Sequence, residues 1–270
     1  MLLGFITGVS FFAAGFLYSR MGLTVWQLPL LAAGLWLALL LVFFVILCVS
    51  CALVDLKKPQ EEDSPYYRRL MGLTIGALVS FTQTRIHTKG MENFPREGRF
   101  LLVCNHQHIA DPGVLLHAFR NRQLAFISKK ENDSMFLVGK FMHKTLTQLL
   151  DRENDREALK TILKCIQLIK EDKVSIAAFP EGGIKELGKL AHFRSGVFKV
   201  AQKAGVPIVV CTLKNTADIL PNAAKLKPTD VHLHLVGVIP AEELKGRTAV
   251  DVGEQVYEMM ISDLGEDFRA

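Results

Sequence analysis

The feature that most limits how this chain can fold is a charge void at its beginning. No Asp or Glu precedes Asp55, and Arg20 is the single basic side chain before it. All 27 acidic residues and 31 of the 32 Lys and Arg therefore lie in residues 55–270. Two apolar stretches fill the void, residues 1–18 and 23–54, separated by Ser19-Arg20-Met21-Gly22. Either can cover a hydrocarbon core of ~30 Å, which takes ~20 helical residues. In lipid a spanning segment must satisfy its own backbone groups, so helix is the expected form. The pattern predicts a helical hairpin over residues 1–54, with Pro29 near the start of its second helix. A cleaved leader competes for residues 1–18, but the basic start is missing and a second long span follows. A shallow hairpin that dips in without crossing also stays open, because Gly4, Gly8, Gly15, Gly22 and Gly34 allow bending and close packing. Lys57, Lys58, Arg68, Arg69 and Arg85 follow the second span, against Arg20 alone in the connection. This imbalance puts the rest of the chain on the cytoplasmic side of the cell membrane.

Residues 55–64 read as a polar linker. Ser64-Pro65 then resembles a helix start, followed by Tyr66, Tyr67, Arg68, Arg69 and an apolar run over residues 70–81 that is too short to span. An interfacial helix and a helix of the domain core fit this segment equally well. Three regions result: a membrane hairpin over 1–54, a linker with an interfacial helix over 55–84, and a domain over 85–270. In that domain strand candidates (85–88, 100–104, 124–128, 174–179, 208–213 and 231–238) alternate with helix candidates (112–120, 134–142, 156–171, 195–204 and 250–263). Such alternation predicts an α/β fold, a mixed central sheet flanked by helices. The +4 balance after residue 54 suits anionic headgroups or a merely solvated surface. No stripe interleaves basic and aromatic residues, so nucleic acid is not an expected partner. Cys48, Cys51, Cys104, Cys165 and Cys211 form neither a disulfide framework nor a zinc pattern, and no metal site is expected.

The strand at 100–104 runs into Asn105-His106-Gln107-His108-Ile109-Ala110-Asp111, and Pro112 follows. Asp before Pro reads as an N-cap with proline at the first helical position. A tight loop there can fold the imidazole back over the helix start, with the Asp111 carboxylate on one ring nitrogen and the other free as a base. A loop histidine beside an ordinary cap is the plain alternative. Leu149-Leu150-Asp151-Arg152 ends an apolar strand with an arginine, whose planar guanidinium suits phosphate, although a surface residue reads the same way. Phe179-Pro180-Glu181-Gly182-Gly183-Ile184-Lys185 follows the strand at 174–178, placing a carboxylate and a flexible backbone at a strand end.

Together these residues resemble the glycerolipid acyltransferases, the family of 1-acylglycerol-3-phosphate acyltransferase. Asn105, His106 and Asp111 match its Asn-His-x-x-x-x-Asp motif; Leu149 to Arg152 resemble its second motif, and Phe179 to Gly182 match the first four positions of Phe-Pro-Glu-Gly-Thr-Arg. Gly90-Met91-Glu92-Asn93-Phe94-Pro95, Phe193-Arg194-Ser195-Gly196 and Val206-Pro207-Ile208 fit flanking segments. The resemblance covers about residues 85–215. It implies membrane-bound O-acyl transfer from acyl-CoA or acyl-carrier protein, a substrate and not a cofactor, to a lysophospholipid in a phospholipid membrane. Lysophosphatidic acid is the implied acceptor and phosphatidic acid the product. His106 would be the base and Asp111 its orienter; Glu181 and Gly182 would meet the acceptor glycerol. Arg152, Lys185 and Arg194 would hold its phosphate, with Lys189 a further cation nearby, and Asn105 and Gly183 would support the loops and the oxyanion. Gly183-Ile184-Lys185 departs from the usual Thr-Arg-Ser. That departure leaves two alternatives: another lysophospholipid, hydroxyl or amine acceptor, or a non-catalytic lipid-binding scaffold.

Overall fold

The computed structural model describes residues 2–22, 24–151 and 154–270. Two helices come first, α1 (Leu2–Met21) and α2 (Gln27–Ala52), each long and apolar enough to cross a membrane. Their side chains are mostly exposed, as suits helices that meet lipid and not a protein interior. Helix α3 (Pro65–Phe81) follows, then β1 (Thr84–Lys89), β2 (Leu101–Cys104), α4 (Asp111–Ala118), β3 (Leu124–Lys129), α5 (Val138–Lys144) and β4 (Gln148–Leu150). The chain continues through α6 (Asp155–Lys170), β5 (Ser175–Ala178), α7 (Lys199–Ala204), β6 (Ile208–Lys214), α8 (Ile219–Ala224), β7 (Thr229–Ile239) and α9 (Ala249–Leu264).

The seven strands form one mixed sheet in the order β1-β7-β6-β2-β5-β3-β4. Strands β6, β2, β5, β3 and β4 run parallel; β7 is antiparallel to β6, and β1 is parallel to β7. Parallel strands covered on both faces need continuous apolar runs. Every residue of β2 and of β5 is accordingly buried. One face carries a core of Leu101, Val103, Ile176 and Val210 with Leu168 from α6, Val200 from α7 and Val256 from α9. The other packs Leu102, Cys104 and Val209 against Val114 and Leu115 from α4. Truncating such a fully buried leucine to alanine costs about 2–5 kcal/mol.

Local chemistry sets the helix ends. Asn154 caps α6 by accepting from the Arg156 and Glu157 amides at 3.1 and 3.2 Å. Thr248 and Asp251 form a reciprocal capping box on α9. The far end of α9 is tied to the sheet through Asp263, whose carboxylate accepts from Thr212 Oγ1 at 2.6 Å and pairs with His234 Nδ1 at 2.9 Å.

Helix α3 answers the open question of its place by joining both parts. Leu70 is buried with Leu47 and Cys51 of α2 and Phe141 of α5, while Tyr66, Leu78 and Phe81 stay exposed. Arg68 grips Asp63 through two bonds at 2.7 and 2.6 Å and donates to the Leu124 carbonyl at 3.0 Å. Ser64 stands at the N-cap with Pro65 after it, although its hydroxyl makes no capping bond.

The sequence expectations hold in type and depart at edges. Strand β4 and helix α8 were not among the candidates, and the helix expected at 134–142 is shifted to Val138–Lys144 behind a 3-10 turn at Lys130–Ser134. The glycine of the Gly-Met-Glu-Asn-Phe-Pro segment has a steric reason: Gly90 has φ +75°, and a Cβ there would run into the Leu235 carbonyl of β7. Gly90→Ala is expected to lower stability by about 2–4 kcal/mol. A thermal melt reads this directly, and an unchanged midpoint would contradict the close approach.

Candidate active site

The carboxyl ends of β2 and β5 are neighbours in the sheet, and both candidate motifs leave from them. Asn105 anchors the first loop. Its amide nitrogen donates to the Leu213 carbonyl at 2.9 Å and its oxygen accepts from the Leu213 amide at 2.7 Å, so the side chain extends the β2–β6 pairing by one rung. It supports the loop, with both polar atoms of its side chain bonded to the backbone of β6.

His106 Nδ1 lies 2.8 Å from Asp111 Oδ2. The sequence expectation that Asp111 caps α4 is corrected here: Ala110 is the N-cap residue, in helical conformation, and Asp111 is the first residue of the helix. Its carboxylate turns back into the loop, because Oδ2 also accepts from the Gln107 and His108 amides at 2.7 and 2.8 Å. Asp111 is completely buried, and its Oδ1 has no partner among the described residues. A buried carboxylate facing an imidazole fixes the tautomer: Nδ1 carries the proton toward Asp111, which leaves Nε2 as the basic nitrogen. No bond among the described residues uses Nε2. The imidazole is 17% exposed and stacks on Phe179, with centroids 4.1 Å apart and planes at 16°.

Glu181 joins the second loop to the first. Oε1 accepts from the His106 amide at 2.6 Å and Oε2 from the Ala191 amide at 3.0 Å. Both oxygens are thus bonded to backbone, and the residue is 2% exposed. Burial pushes its carboxyl up to about 7, and the two amide bonds offset only part of that. A carboxyl raised in the folded state stabilises fully below its ordinary value of 4.5 and loses that contribution as pH rises toward 7. Wild-type protein should therefore lose up to roughly 3 kcal/mol from this group between about pH 5 and 7.5, a slope that Glu181→Gln lacks. Thermal melts of the two proteins across that range test it, and a difference that does not vary with pH would contradict it.

Gly182 has φ +73°, and the Arg194 side chain lies against it, so that a Cβ there would sit 2.9 Å from Arg194 Nε. The Arg194 amide donates to the Pro180 carbonyl at 2.8 Å, which brings its exposed side chain to this loop. Gly183 has φ +140°, and its amide has no partner among the described residues. Lys185 is exposed on the same loop, and Lys189 is partly drawn away by a bond to the Arg269 carbonyl at 3.0 Å. Arg152 lies outside the described residues.

Two contributors escaped the sequence reading. Gln107 receives the Gly188 amide at 2.7 Å and donates to the Lys189 carbonyl at 3.1 Å, lashing the two loops together. Phe179 was visible in its motif, but nothing local marked it as the floor beneath His106. Cys104 and Cys211 sit paired across β2 and β6 below the site, fully buried, and burial pushes both thiols well above their ordinary range. They are unsuited to nucleophilic work. Among the described residues no three His, Cys, Asp or Glu converge as a metal site.

Comparison with known proteins agrees with this layout. Residues 85–214 match the family model described as Acyltransferase. The chain is 32% identical over 181 residues to a 1-acyl-sn-glycerol-3-phosphate acyltransferase of Chlamydomonas reinhardtii, covering 64% of this chain and 54% of that one. It thus spans about half the length of that relative. A probable 1-acyl-sn-glycerol-3-phosphate acyltransferase of Mycoplasma pneumoniae is 28% identical over 206 residues, 72% of this chain and 75% of the relative. The crystal structure of the 1-acyl-sn-glycerophosphate acyltransferase PlsC from Thermotoga maritima shares the fold, with a TM-score of 0.59, 17% identity and coverage of 96% and 93%. The motif loops and the strands that present them fall inside one matched region, and over residues 85–214 this chain is similar to the acyltransferase family.

Proposed function

We propose that this protein is an integral membrane O-acyltransferase that moves a fatty acyl chain from a thioester to the free hydroxyl of lysophosphatidic acid, giving phosphatidic acid. The observation that carries the reading is the 2.8 Å contact from His106 Nδ1 to the buried Asp111, which leaves Nε2 as an uncommitted base. A thioester is already activated, so no acyl-enzyme is needed. Nε2 takes the hydroxyl proton as the acceptor oxygen attacks the thioester carbonyl; the tetrahedral oxyanion forms, collapses with cleavage of the C–S bond, and the leaving thiolate receives the proton from His106. Asp111 holds the tautomer and stabilises the imidazolium. The unpartnered Gly183 amide is the oxyanion donor we favour. Arg194 beside Gly182, with Lys185 and Arg152, supplies positive charge for the acceptor phosphate.

Attachment through α1 and α2 has a physical purpose here, since the lysolipid and the acyl chain both partition into the bilayer. The basic residues after α2 support a domain on the cytoplasmic face, with acyl-CoA or acyl-carrier protein as the donor in this reading. One observation favours a second reading. Ile184, half exposed, stands where the family pattern has arginine, which weakens the phosphate site and admits a different lysophospholipid or another hydroxyl or amine.

The test is transfer by detergent-purified protein from a long-chain acyl-CoA, and separately from acyl-carrier protein, to lysophosphatidic acid, lysophosphatidylglycerol and lysophosphatidylcholine. Product from lysophosphatidic acid alone supports the first reading, and product from another acceptor supports the second. No transfer from either donor would leave a non-catalytic lipid-binding module.

A further inference from the structure

We infer that Glu181 is a positioning residue for the catalytic histidine, gripping its main chain, and is not a ligand of the acceptor. The inference rests on the acyl-transfer reading above. Its carboxylate bridges two amides far apart in sequence, His106 N at 2.6 Å and Ala191 N at 3.0 Å. With both oxygens taken and 2% of its surface exposed, the side chain offers no open face to a glycerol hydroxyl.

The grip falls on the residue that does the chemistry. Asp111 fixes the His106 ring at Nδ1, Phe179 supports its face, and Glu181 holds its backbone, so the imidazole is restrained from three sides. The second end of the bridge is equally anchored. Residues 188–190, next to Ala191, are held by Gln107 through the Gly188 amide and the Lys189 carbonyl, and by the C-terminal segment through the Leu190 amide on the Phe268 carbonyl at 2.7 Å. Glu181 therefore ties the histidine loop to a segment that is itself held by Gln107 and by the C-terminal residues. In this geometry each N–H donor lies on its own oxygen, so the bridge uses both acceptor oxygens of the carboxylate. Glutamine has one, and its amide would set N–H against N–H. Aspartate keeps the charge but is one methylene short of spanning both. A misplacement of the base by ~1 Å is enough to cost ~100-fold in rate.

The experiment uses the full-length protein in detergent, with Glu181→Gln and Glu181→Asp, assayed against lysophosphatidic acid or whichever acceptor the wild type accepts. Expected is a fall in kcat of ~100-fold per folded molecule in both variants, the folded fraction being taken from thermal melts, with acceptor KM within about twofold of wild type. A tenfold rise in acceptor KM with kcat retained would instead make Glu181 an acceptor ligand and overturn the inference, as would wild-type kinetics. Amide hydrogen exchange gives a readout independent of transfer: the His106 and Ala191 amides should exchange ~100-fold faster in Glu181→Gln than in wild type, and equal rates overturn the bridge. If neither variant folds, the wild type decides alone, since protection of these two amides matching that of β2 supports the bridge and exchange within seconds refutes it. A wild type that transfers to no acceptor would end the acyl-transfer reading, while exchange would still decide the bridge.

Discussion

Replacing His106 with alanine is expected to lower acyl transfer by about a thousandfold or more while the protein stays folded. The rate argument follows from geometry. No other described side chain near the two loops combines a buried carboxylate partner with an uncommitted basic nitrogen, and the neighbouring thiols of Cys104 and Cys211 are held protonated by burial. The stability argument is separate. The His106 side chain is 17% exposed and contributes a stack on Phe179, while the bond to Glu181 comes from its backbone amide and survives the substitution. The variant should melt within a few degrees of wild type and be inactive. Retained turnover in a purified, folded His106→Ala protein would remove the proposed mechanism.

Asp111 should separate two effects that the sequence alone runs together. From the motif, Asp111→Ala looks like a purely catalytic loss. In the fold, Oδ2 serves three donors, the His106 ring and the Gln107 and His108 amides, at 2.7–2.8 Å, and Asp111 is completely buried. Deleting it leaves two loop amides without an acceptor, at about 1–3 kcal/mol each, so Asp111→Ala should be inactive and measurably destabilised. Asp111→Asn divides the roles. Its oxygen can take the place of Oδ2 and keep the loop, while its NH2 group falls at Oδ1, which has no partner among the described residues. That variant should melt closer to wild type than Asp111→Ala yet lose about 10³–10⁴ in kcat, because a neutral amide no longer stabilises the imidazolium. Equal melting midpoints for the two variants would mean that the Asp111 bonds do not organise the loop, and wild-type kcat in Asp111→Asn would mean that its charge is not used.

Much of the molecule was legible because the information was local. A fifty-residue charge void has few solutions besides apolar helices, and continuous runs such as Leu101–Cys104 and Ile208–Lys214 announce buried parallel strands. Shorter elements were not legible. Strand β4 has three residues at a sheet edge, and its pairing with Ile127, Ser128 and Lys129 of β3, not its composition, makes it a strand. The helix expected to start at residue 134 begins at Val138 because Lys130–Ser134 closes first as a 3-10 turn.

The site divides the same way. His106 and Asp111 could be paired from sequence because five residues and a strand–helix junction bring them together whatever the rest of the chain does. Glu181 could be found but not understood. Its type and its place after a strand suggested a ligand for a hydroxyl, and only the adjacency of β2 and β5 aims it at the His106 amide 75 residues away. Gln107 gave no signal at all, since its partners at Gly188 and Lys189 are reached through space. The sequence by itself determined the two apolar helices at the start, the α/β alternation and the pairing of His106 with Asp111, because these depend on composition, periodicity and short spacing. The tertiary structure decided which polar groups are buried and what they bond to, because burial and long-range hydrogen bonding are properties of how strands from distant parts of the chain are ordered in the sheet.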